Sequence, residues 1–413
     1  MRYVIIGGSI AGISAVKEIR TSDTKGKIMV ISGEQTRGYY RPMIPSLIEK
    51  DGIDITFVDD PLEKYAADLI FGTAKSLDGS SREVLLSSGK KMKYDRLLIA
   101  TGSSPVIPHI QGLRGDDVFP LRTMKDALSI KTSARNKGRA VVIGGGFVGT
   151  KASIALRNLG LSVTIVEERG QILPQRLDRR GAWIIADVMR KRGIEIITND
   201  TVSEIIRSSG KVKSLRLFSG GTLDADIVVF AVGARPNVEA FVDSGIRINR
   251  GIIIDESFRT SVPDVYAAGD VAEYIDLITG APAVSALWSN AEEMGKFAGK
   301  NMAGGTVKYR GFLSVMNATE ILGVPVMSVG LIEPEGEGYE VIVDDTLDSY
   351  RKLIFRGDIL VGVTFVGNIS NAGIYTNLIK NSIPIGSLKD EAINGSLSYI
   401  DFVNTIPSQT LSV

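Results

Sequence analysis

An internal echo at domain scale is the feature that most constrains this chain. Val4-Ile5-Ile6-Gly7-Gly8-Ser9-Ile10-Ala11-Gly12 recurs as Val141-Val142-Ile143-Gly144-Gly145-Gly146-Phe147-Val148-Gly149. Each copy is an apolar run entering a glycine turn, the pattern of a buried strand that turns directly into a helix. Beyond the turns, Ile13, Val16 and Ile19 in one copy and Ala152, Ala155, Leu156 and Leu159 in the other recur at helical spacing. Ile28 to Ile31 and Val163 to Val166 then read as the next buried parallel strands, so each copy is a βαβ unit. A further echo, Leu97-Leu98-Ile99-Ala100-Thr101-Gly102 against Val228-Val229-Phe230-Ala231-Val232-Gly233, closes each half with a strand and a glycine. Two nucleotide-type folds are therefore expected in series.

A chain of 413 residues exceeds one ordinary core, and its 44% hydrophobic content can fill several. After the second fold, Arg259 to Glu273 and a helix-like stretch from Trp288 to Met302 lead to Gly304-Gly305, a plausible boundary. From Tyr309 the pattern changes to short β-rich runs, Val324 to Val329, Tyr339 to Val343, Lys352 to Phe355 and Leu360 to Val366, with a helical pattern near Ala372 to Lys380. The expected organisation is an α/β chain: a first fold over 1–115 and 240–305, a second over 116–239, and a small α+β domain with a tail over 306–413. The tail from Ser396 to Val413 has few charges and no clear period; it reads as a disordered end or a docking strand.

Lysine plus arginine (48) nearly balance aspartate plus glutamate (47), so no whole-chain field draws in nucleic acid or an anionic membrane. The absence of cysteine excludes disulfides, thiolate nucleophiles, Cys-ligated zinc and an ordinary iron-sulfur cluster held by this chain alone. No metal site is expected. The start is too short for a signal-peptide core and no stretch is apolar enough to cross a bilayer, which places the expected location in the cytoplasm.

Gly144-x-Gly146-x-x-Gly149 has the full dinucleotide fingerprint in strand-turn-helix context: a tight turn, close approach to a pyrophosphate, and a helix N-terminus to receive its charge. Glu167 closes the strand that follows, where a carboxylate can accept both hydroxyls of an adenosine ribose and so favours NAD over NADP. In isolation Glu167 would be an ordinary solvated acid; the complete glycine pattern upstream favours the ribose reading. Arg169 and Arg176 keep NADP open. In the first turn Ser9 stands where the fingerprint wants its middle glycine, which costs close approach but adds a hydroxyl. Glu34 fits the ribose role in this half, or is a simple turn carboxylate. The segment Thr260 to Asp270 ends a strand on Gly269-Asp270, suited to setting a carboxylate against a sugar-alcohol chain.

With these motifs the sequence closely resembles the two-dinucleotide-binding-domain flavoproteins of the pyridine nucleotide-disulfide oxidoreductase family. It is most similar to the branch holding NADH:rubredoxin oxidoreductases, ferredoxin reductases, NADH oxidases and the flavin part of assimilatory nitrite reductases. The resemblance runs from Met1 to about Lys380 and rests also on Tyr40-Arg41-Pro42, Tyr94-Asp95-x-Leu97-Leu98-Ile99-Ala100-Thr101-Gly102, Leu121-Arg122-Thr123, Ala231-Val232-Gly233-Ala234-Arg235-Pro236-Asn237 and Leu287-Trp288. It implies a glutathione-reductase-like fold with FAD and NAD as cofactors. It assigns Gly7, Ser9, Ile10, Ala11, Gly12, Glu34, Arg41, Pro42, Ala74, Ala100, Thr101, Gly102, Gly269 and Asp270 to FAD, with Asp270 on the ribityl chain. Trp288 falls near the isoalloxazine, or is a core tryptophan at a domain seam, readings that are compatible. Gly144, Gly146, Phe147, Val148, Gly149, Glu167 and Gly233 fall to NAD.

Two departures from the family pattern narrow the chemistry. Tyr39 to Lys50 lacks the cysteines of the disulfide reductases, peroxidases and CoA-disulfide reductases, which removes thiol relays. Lys151 stands where many relatives carry glutamate and Ser46 where many carry lysine, so the flavin-side ion pair is lost or rearranged; Lys151 becomes the candidate catalytic side chain. His109, the single histidine, follows Pro108 in a linker and suits a surface or hinge role. The resemblance implies hydride exchange between NADH and FAD, with electrons passing to or from an iron-sulfur, rubredoxin or ferredoxin-type protein or subunit. Alternatives are an NADH oxidase reducing oxygen, a membrane quinone reductase, and a non-catalytic flavin scaffold or redox sensor. No nucleic-acid or membrane-inserted role is expected, and the chain could form a homodimer or join a hetero-oligomer.

Overall fold

The structure, a computed structural model, describes residues 1–346 and 349–398; the part of the tail from residue 399 onward lies outside the described residues. Each repeated apolar run forms the central strand of a five-stranded sheet. In the first sheet the order is Val265–Ala267, Arg96–Ile99, Arg2–Ile6, Lys27–Ser32, Ala67–Phe71, and every pairing is parallel. The second repeats it with Val118–Pro120, Ile227–Phe230, Arg139–Ile143, Ser162–Glu167 and Ile194–Thr198. The central runs are buried because helices pack on one face of each parallel sheet and a three-stranded antiparallel sheet on the other, Ala74–Asp78, Glu83–Leu86 and Lys91–Lys93 in the first fold and Val202–Ser208, Lys211–Leu217 and Thr222–Asp224 in the second, which is why they read as continuous rather than alternating apolar residues.

The helices after the turns, Ile10–Ser22 and Phe147–Asn158, begin where the glycines permit. Gly7 takes φ +131°, and a Cβ there would stand 2.0 Å from the Ala100 carbonyl oxygen. Gly12 and Gly149 play the helix-packing part: a Cβ on either would lie 1.9 Å from the carbonyl oxygen of Gly7 or Gly144. Trp288–Met302, a helix over the residues read from the sequence, crosses Ile10–Ser22 through small residues. Cβ atoms on Gly295 and Gly299 would meet the Ala11 and Ala15 carbonyl oxygens at 2.2 Å and 2.6 Å.

The remainder is an antiparallel sheet in the order Met316–Ile321, Val324–Gly330, Ile359–Val366, Tyr350–Arg356, Glu340–Asp345, with helix Ala372–Asn381 against it. Its side chains Ile321, Val326, Tyr350 and Val366 join the core of the second fold, together with Ile44, Leu47 and Ile48 from the segment that follows Tyr40-Arg41-Pro42. Asp178 caps helix Arg179–Lys191 and also takes a hydrogen bond from the Tyr350 hydroxyl, with the Lys352 ammonium 3.3 Å away. No helix among the described residues is long and apolar enough to cross a membrane.

The helix crossing sets a clear expectation. Gly295→Val drives a side chain into rigid backbone rather than a yielding side chain, so it should destabilise by at least about 1–3 kcal/mol. The measurement is the urea midpoint of the variant, and an unchanged midpoint would contradict the close approach.

Candidate functional site

The two folds leave a cleft of about 840 Å3 in front of the first glycine turn. Its walls carry Gly7, Ser9, Ile10, Ala11, Glu34, Arg41, Pro42, Ala74, Ala100, Thr101, Gly102, Gly269, Asp270 and Trp288. Gly12 stands behind it as the helix-packing glycine. Val148, near the start of helix Phe147–Asn158, also lines the cleft, whereas Gly144, Gly146, Phe147, Gly149, Glu167 and Gly233 do not.

Two carboxylates are each held by an arginine within it. Glu34 pairs with Arg41 and accepts the Tyr39 hydroxyl at 2.6 Å; Arg41 reaches on to the Ser9 hydroxyl at 3.1 Å and the Arg122 carbonyl at 3.2 Å. Thus the serine that replaces a glycine in the first turn also anchors the arginine from Tyr40-Arg41-Pro42. The Arg41 guanidinium lies over the Tyr39 ring, 5.0 Å from its centroid. Tyr39 is buried, which raises its phenol well above the ordinary tyrosine range, and the Glu34 contact adds to this while Arg41 opposes it. Further along, Asp270 accepts from Arg122 at 2.6 Å and from the Ser103 hydroxyl at 2.8 Å. Asn237 and Thr101 exchange two hydrogen bonds, 2.8 Å and 2.9 Å, closing the wall between them.

Arg122, Ser103, Tyr39 and Asn237 were not among the residues assigned from the sequence. Leu121-Arg122-Thr123 was visible as a motif, but nothing local shows that its guanidinium meets Asp270, 148 residues away.

At the second turn, a Cβ on Gly146 would meet nothing within 4 Å, leaving the backbone open to a ligand at the start of Phe147–Asn158. Gly233 takes φ +115° and is similarly open. Glu167 is buried at 7% exposure, and its two oxygens accept the Gly145 amide at 2.6 Å and the Arg169 amide at 2.9 Å. It therefore braces the turn as well as standing at the strand end. Lys151 does not line the cleft; it is half-buried, and burial lowers its ammonium below the usual lysine range while Glu320 partly offsets this. His109 is exposed.

A glycine turn at a helix N-terminus, flanked by Glu34 on one side and Asp270 on the other, offers amides for a diphosphate and carboxylates for sugar and polyol hydroxyls. That donor set fits FAD, and the open second turn with Glu167 fits a second dinucleotide.

The family model for pyridine nucleotide-disulphide oxidoreductases matches residues 1–295, and that for the rubredoxin NAD+ reductase C-terminal domain matches residues 316–383. The chain belongs to the pyridine nucleotide-disulphide oxidoreductase family, whose members bind FAD and NAD(H). It is 30% identical over 374 residues to an assimilatory nitrate reductase electron transfer subunit of Bacillus subtilis, covering 89% of this chain but 48% of that one. The chain thus spans about half the length of that relative. It is 30% identical over 406 residues to the NADH-dependent phenylglyoxylate dehydrogenase subunit epsilon of Aromatoleum evansii, covering 96% of each. Among solved structures, NADH:rubredoxin oxidoreductase from Clostridium acetobutylicum superposes with a TM-score of 0.76 at 28% identity, covering 96% of this chain and 99% of that one.

The Glu167 brace has a stability consequence. Glu167→Ala strands the buried Gly145 amide and leaves the Arg169 amide to water, and an unsatisfied buried donor costs about 1–3 kcal/mol. A lower urea midpoint is expected even without nucleotide, and a midpoint equal to that of the unaltered chain would show that the brace is dispensable.

Proposed function

We propose that the chain is an FAD-dependent NAD(H) oxidoreductase that exchanges electrons with an iron-sulfur, rubredoxin or ferredoxin-type protein or partner subunit. The observation that carries this is one cleft lined by the first glycine turn and reached by Val148 at the start of the second fold's first helix, in a chain with no cysteine to divert electrons. The first fold, 1–115 with 240–305, holds FAD; the second, 116–239, holds NAD(H); residues 306–413 complete the enzyme. When bound, the flavin supplies hydride acceptance from a reduced nicotinamide and onward electron transfer.

The protein's own part is positioning. The amides at the start of helix Ile10–Ser22 and the Ser9 hydroxyl would receive the FAD diphosphate, with Gly7 and Gly12 shaping the turn and Arg41 and Pro42 in the cleft wall beside it. Glu34 takes the adenosine ribose and Asp270 the ribityl hydroxyls, its carboxylate oriented by Arg122 and Ser103. Ala74, Ala100, Thr101, Gly102 and Gly269 shape the walls, and Trp288 sits at the ring end. Gly144, Gly146, Phe147, Val148 and Gly149 hold the nicotinamide dinucleotide, Gly233 leaves room for it, and Glu167 meets its ribose. The balance of charge, the absence of cysteine and the lack of a spanning helix among the described residues suit a cytoplasmic enzyme.

The test of function is NADH turnover against oxygen, menadione, disulfides, rubredoxin and ferredoxin. A protein acceptor should lead; oxygen or a disulfide outrunning every protein would defeat the reading. Coenzyme choice follows from Glu167, since a 2′-phosphate beside it sets like charges together at a cost of several kcal/mol. NADH should reduce the flavin clearly faster than NADPH in anaerobic stopped-flow, and equal rates would sink the Glu167 assignment. Lys151, two residues past Gly149, is expected to act through its field on the reduced, anionic flavin. Lys151→Met should then lower the flavin midpoint potential, and a spectroelectrochemical titration with no change would show that Lys151, outside the cleft wall, has no part in tuning the flavin.

A further inference from the structure

The antiparallel sheet ends on an open edge. Strand Glu340–Asp345 pairs on one side with Tyr350–Arg356 and has no partner on the other among the described residues. Its valines are in water: Val341 is 43% exposed and Val343 52%, although their cross-strand neighbours Ile354 and Lys352 are buried. Trp183 stands near them, 53% exposed on helix Arg179–Lys191. The link is Arg180, which bonds both Asp345 oxygens at 2.7 Å and 3.0 Å and lies 4.8 Å over the Trp183 ring. Unpaired backbone groups next to exposed apolar side chains are a template for one more strand.

The side chains of the edge disfavour a second copy of it. Antiparallel pairing of the strand with itself sets Glu340 opposite Asp345 and Asp344 opposite Val341. Lys389 and Arg180 offset the first two carboxylates, but Asp344 has no ion pair among the described residues and would be laid against valine. The chain's own continuation starts close by. Leu397 is fully buried, and its carbonyl accepts a hydrogen bond from Asn371 at 2.8 Å. A Cβ on Gly395 would lie 2.6 Å from an Arg351 guanidinium nitrogen, and Arg351 is the cross-strand partner of Asp344. The chain thus approaches residue 398 one strand in from the open edge, toward its Asp345 end. Beyond the described residues the sequence continues Tyr399-Ile400-Asp401-Phe402-Val403-Asn404-Thr405-Ile406, six β-branched or aromatic side chains in eight with a single charge, and then Pro407. A segment tethered there competes for the edge at an effective concentration of about millimolar, well above that of any free strand.

We propose that the open edge seats the chain's own residues 399–406, added antiparallel to Glu340–Asp345 as a sixth strand. Running away from the Asp345 end, the segment meets the outward amides and carbonyls of the edge and lays one of its two faces over Val341, Val343 and Trp183. Ordering these residues costs conformational entropy, but Leu397 already fixes the join, so no long loop has to close. The edge is thereby shut to strands of other molecules. Nothing in this closure depends on the electron-transfer reading above.

Hydrogen exchange at residues 340–345 is compared in the full chain, in the chain ended after Ser398, and in the full-length double variant Phe402→Asp/Val403→Pro. The edge amides should exchange about tenfold or more faster in both altered chains, with residues 350–356 unchanged as the control for folding. Because the chain has no cysteine, an introduced pair reports the contact directly. Val343→Cys is combined in turn with Phe402→Cys and with Val403→Cys. One of the two pairs should close a disulfide within a single chain, since successive residues of a strand face opposite sides. Equal exchange in all three chains overturns the proposal, as does a disulfide in neither pair. Disulfides formed only between chains also overturn it and make a second copy the occupant. Should the shortened chain lose protection at 350–356 as well, the full-length variant and the disulfide decide.

Discussion

At Gly12, Gly149, Gly295 and Gly299 backbone lies against backbone, and the site takes its shape because nothing larger than hydrogen intervenes there. Gly12 and Gly149 let each first helix start within contact of the turn that precedes it, with a would-be Cβ at 1.9 Å from a carbonyl oxygen. Gly295 and Gly299 then let helix Trp288–Met302 settle on Ala11 and Ala15 of the first helix. That crossing brings Trp288, at the start of its helix, to the cleft into which the first helix points its N-terminus. The amides that a helix cannot satisfy internally are thereby aimed at one space, with a favourable field for anionic phosphate.

The cleft's electrostatics are organised in the same economical way. Glu34 and Asp270 are carboxylates in a partly dry space, and each has an arginine and a hydroxyl: Arg41 and Tyr39, close in sequence, for Glu34, and Arg122 and Ser103, far from it in sequence, for Asp270. Charge-assisted bonds of this kind fix side-chain direction as well as energy. Arg41 and Arg122 also touch, guanidinium to carbonyl at 3.2 Å, so the two ends of the cleft are joined through a single chain of polar contacts. Ser9 enters that chain through Arg41, which gives its substitution for glycine a physical reason.

The parts of this arrangement legible in the sequence are those set by local backbone rules. Parallel strands show as uninterrupted apolar runs, glycine turns show by spacing, and helix Trp288–Met302 shows by period. Strand limits shifted by a residue or a few: Lys352 to Phe355 became Tyr350–Arg356, because pairing with neighbours, not composition, ends a strand. Contacts across long separations were not legible. Arg122 and Asp270 meet over 148 residues, and Gly295-x-x-x-Gly299 reads as an unremarkable pair of helical glycines until Ala11 and Ala15 are seen beneath it. Lys151 was placed by family register, but its surroundings include Glu320 from the antiparallel sheet, which register alone could not supply.

The antiparallel sheet reaches both nucleotide folds. Its Ile321, Val326 and Tyr350 fill the second fold's core, and Lys352 lies almost wholly buried between Asp178 of that fold and Glu333. On the opposite side Lys380 pairs at 2.6 Å with Glu293 of helix Trp288–Met302, which belongs to the first. A buried pair such as Lys352 with Asp178 adds little net stability, but parting it strands a charge in a dry interior at a cost of about 3–5 kcal/mol. The penalty therefore falls on any rotation that pulls the second fold off the sheet, and the half-buried Lys380–Glu293 pair opposes separation on the other side. The sheet's buried pair thus holds the second fold in the orientation in which Val148 of its first helix lines the cleft, while Asn290 and Asp276 of the first fold bond the Leu313 carbonyl and the Ser314 amide at the sheet's entry.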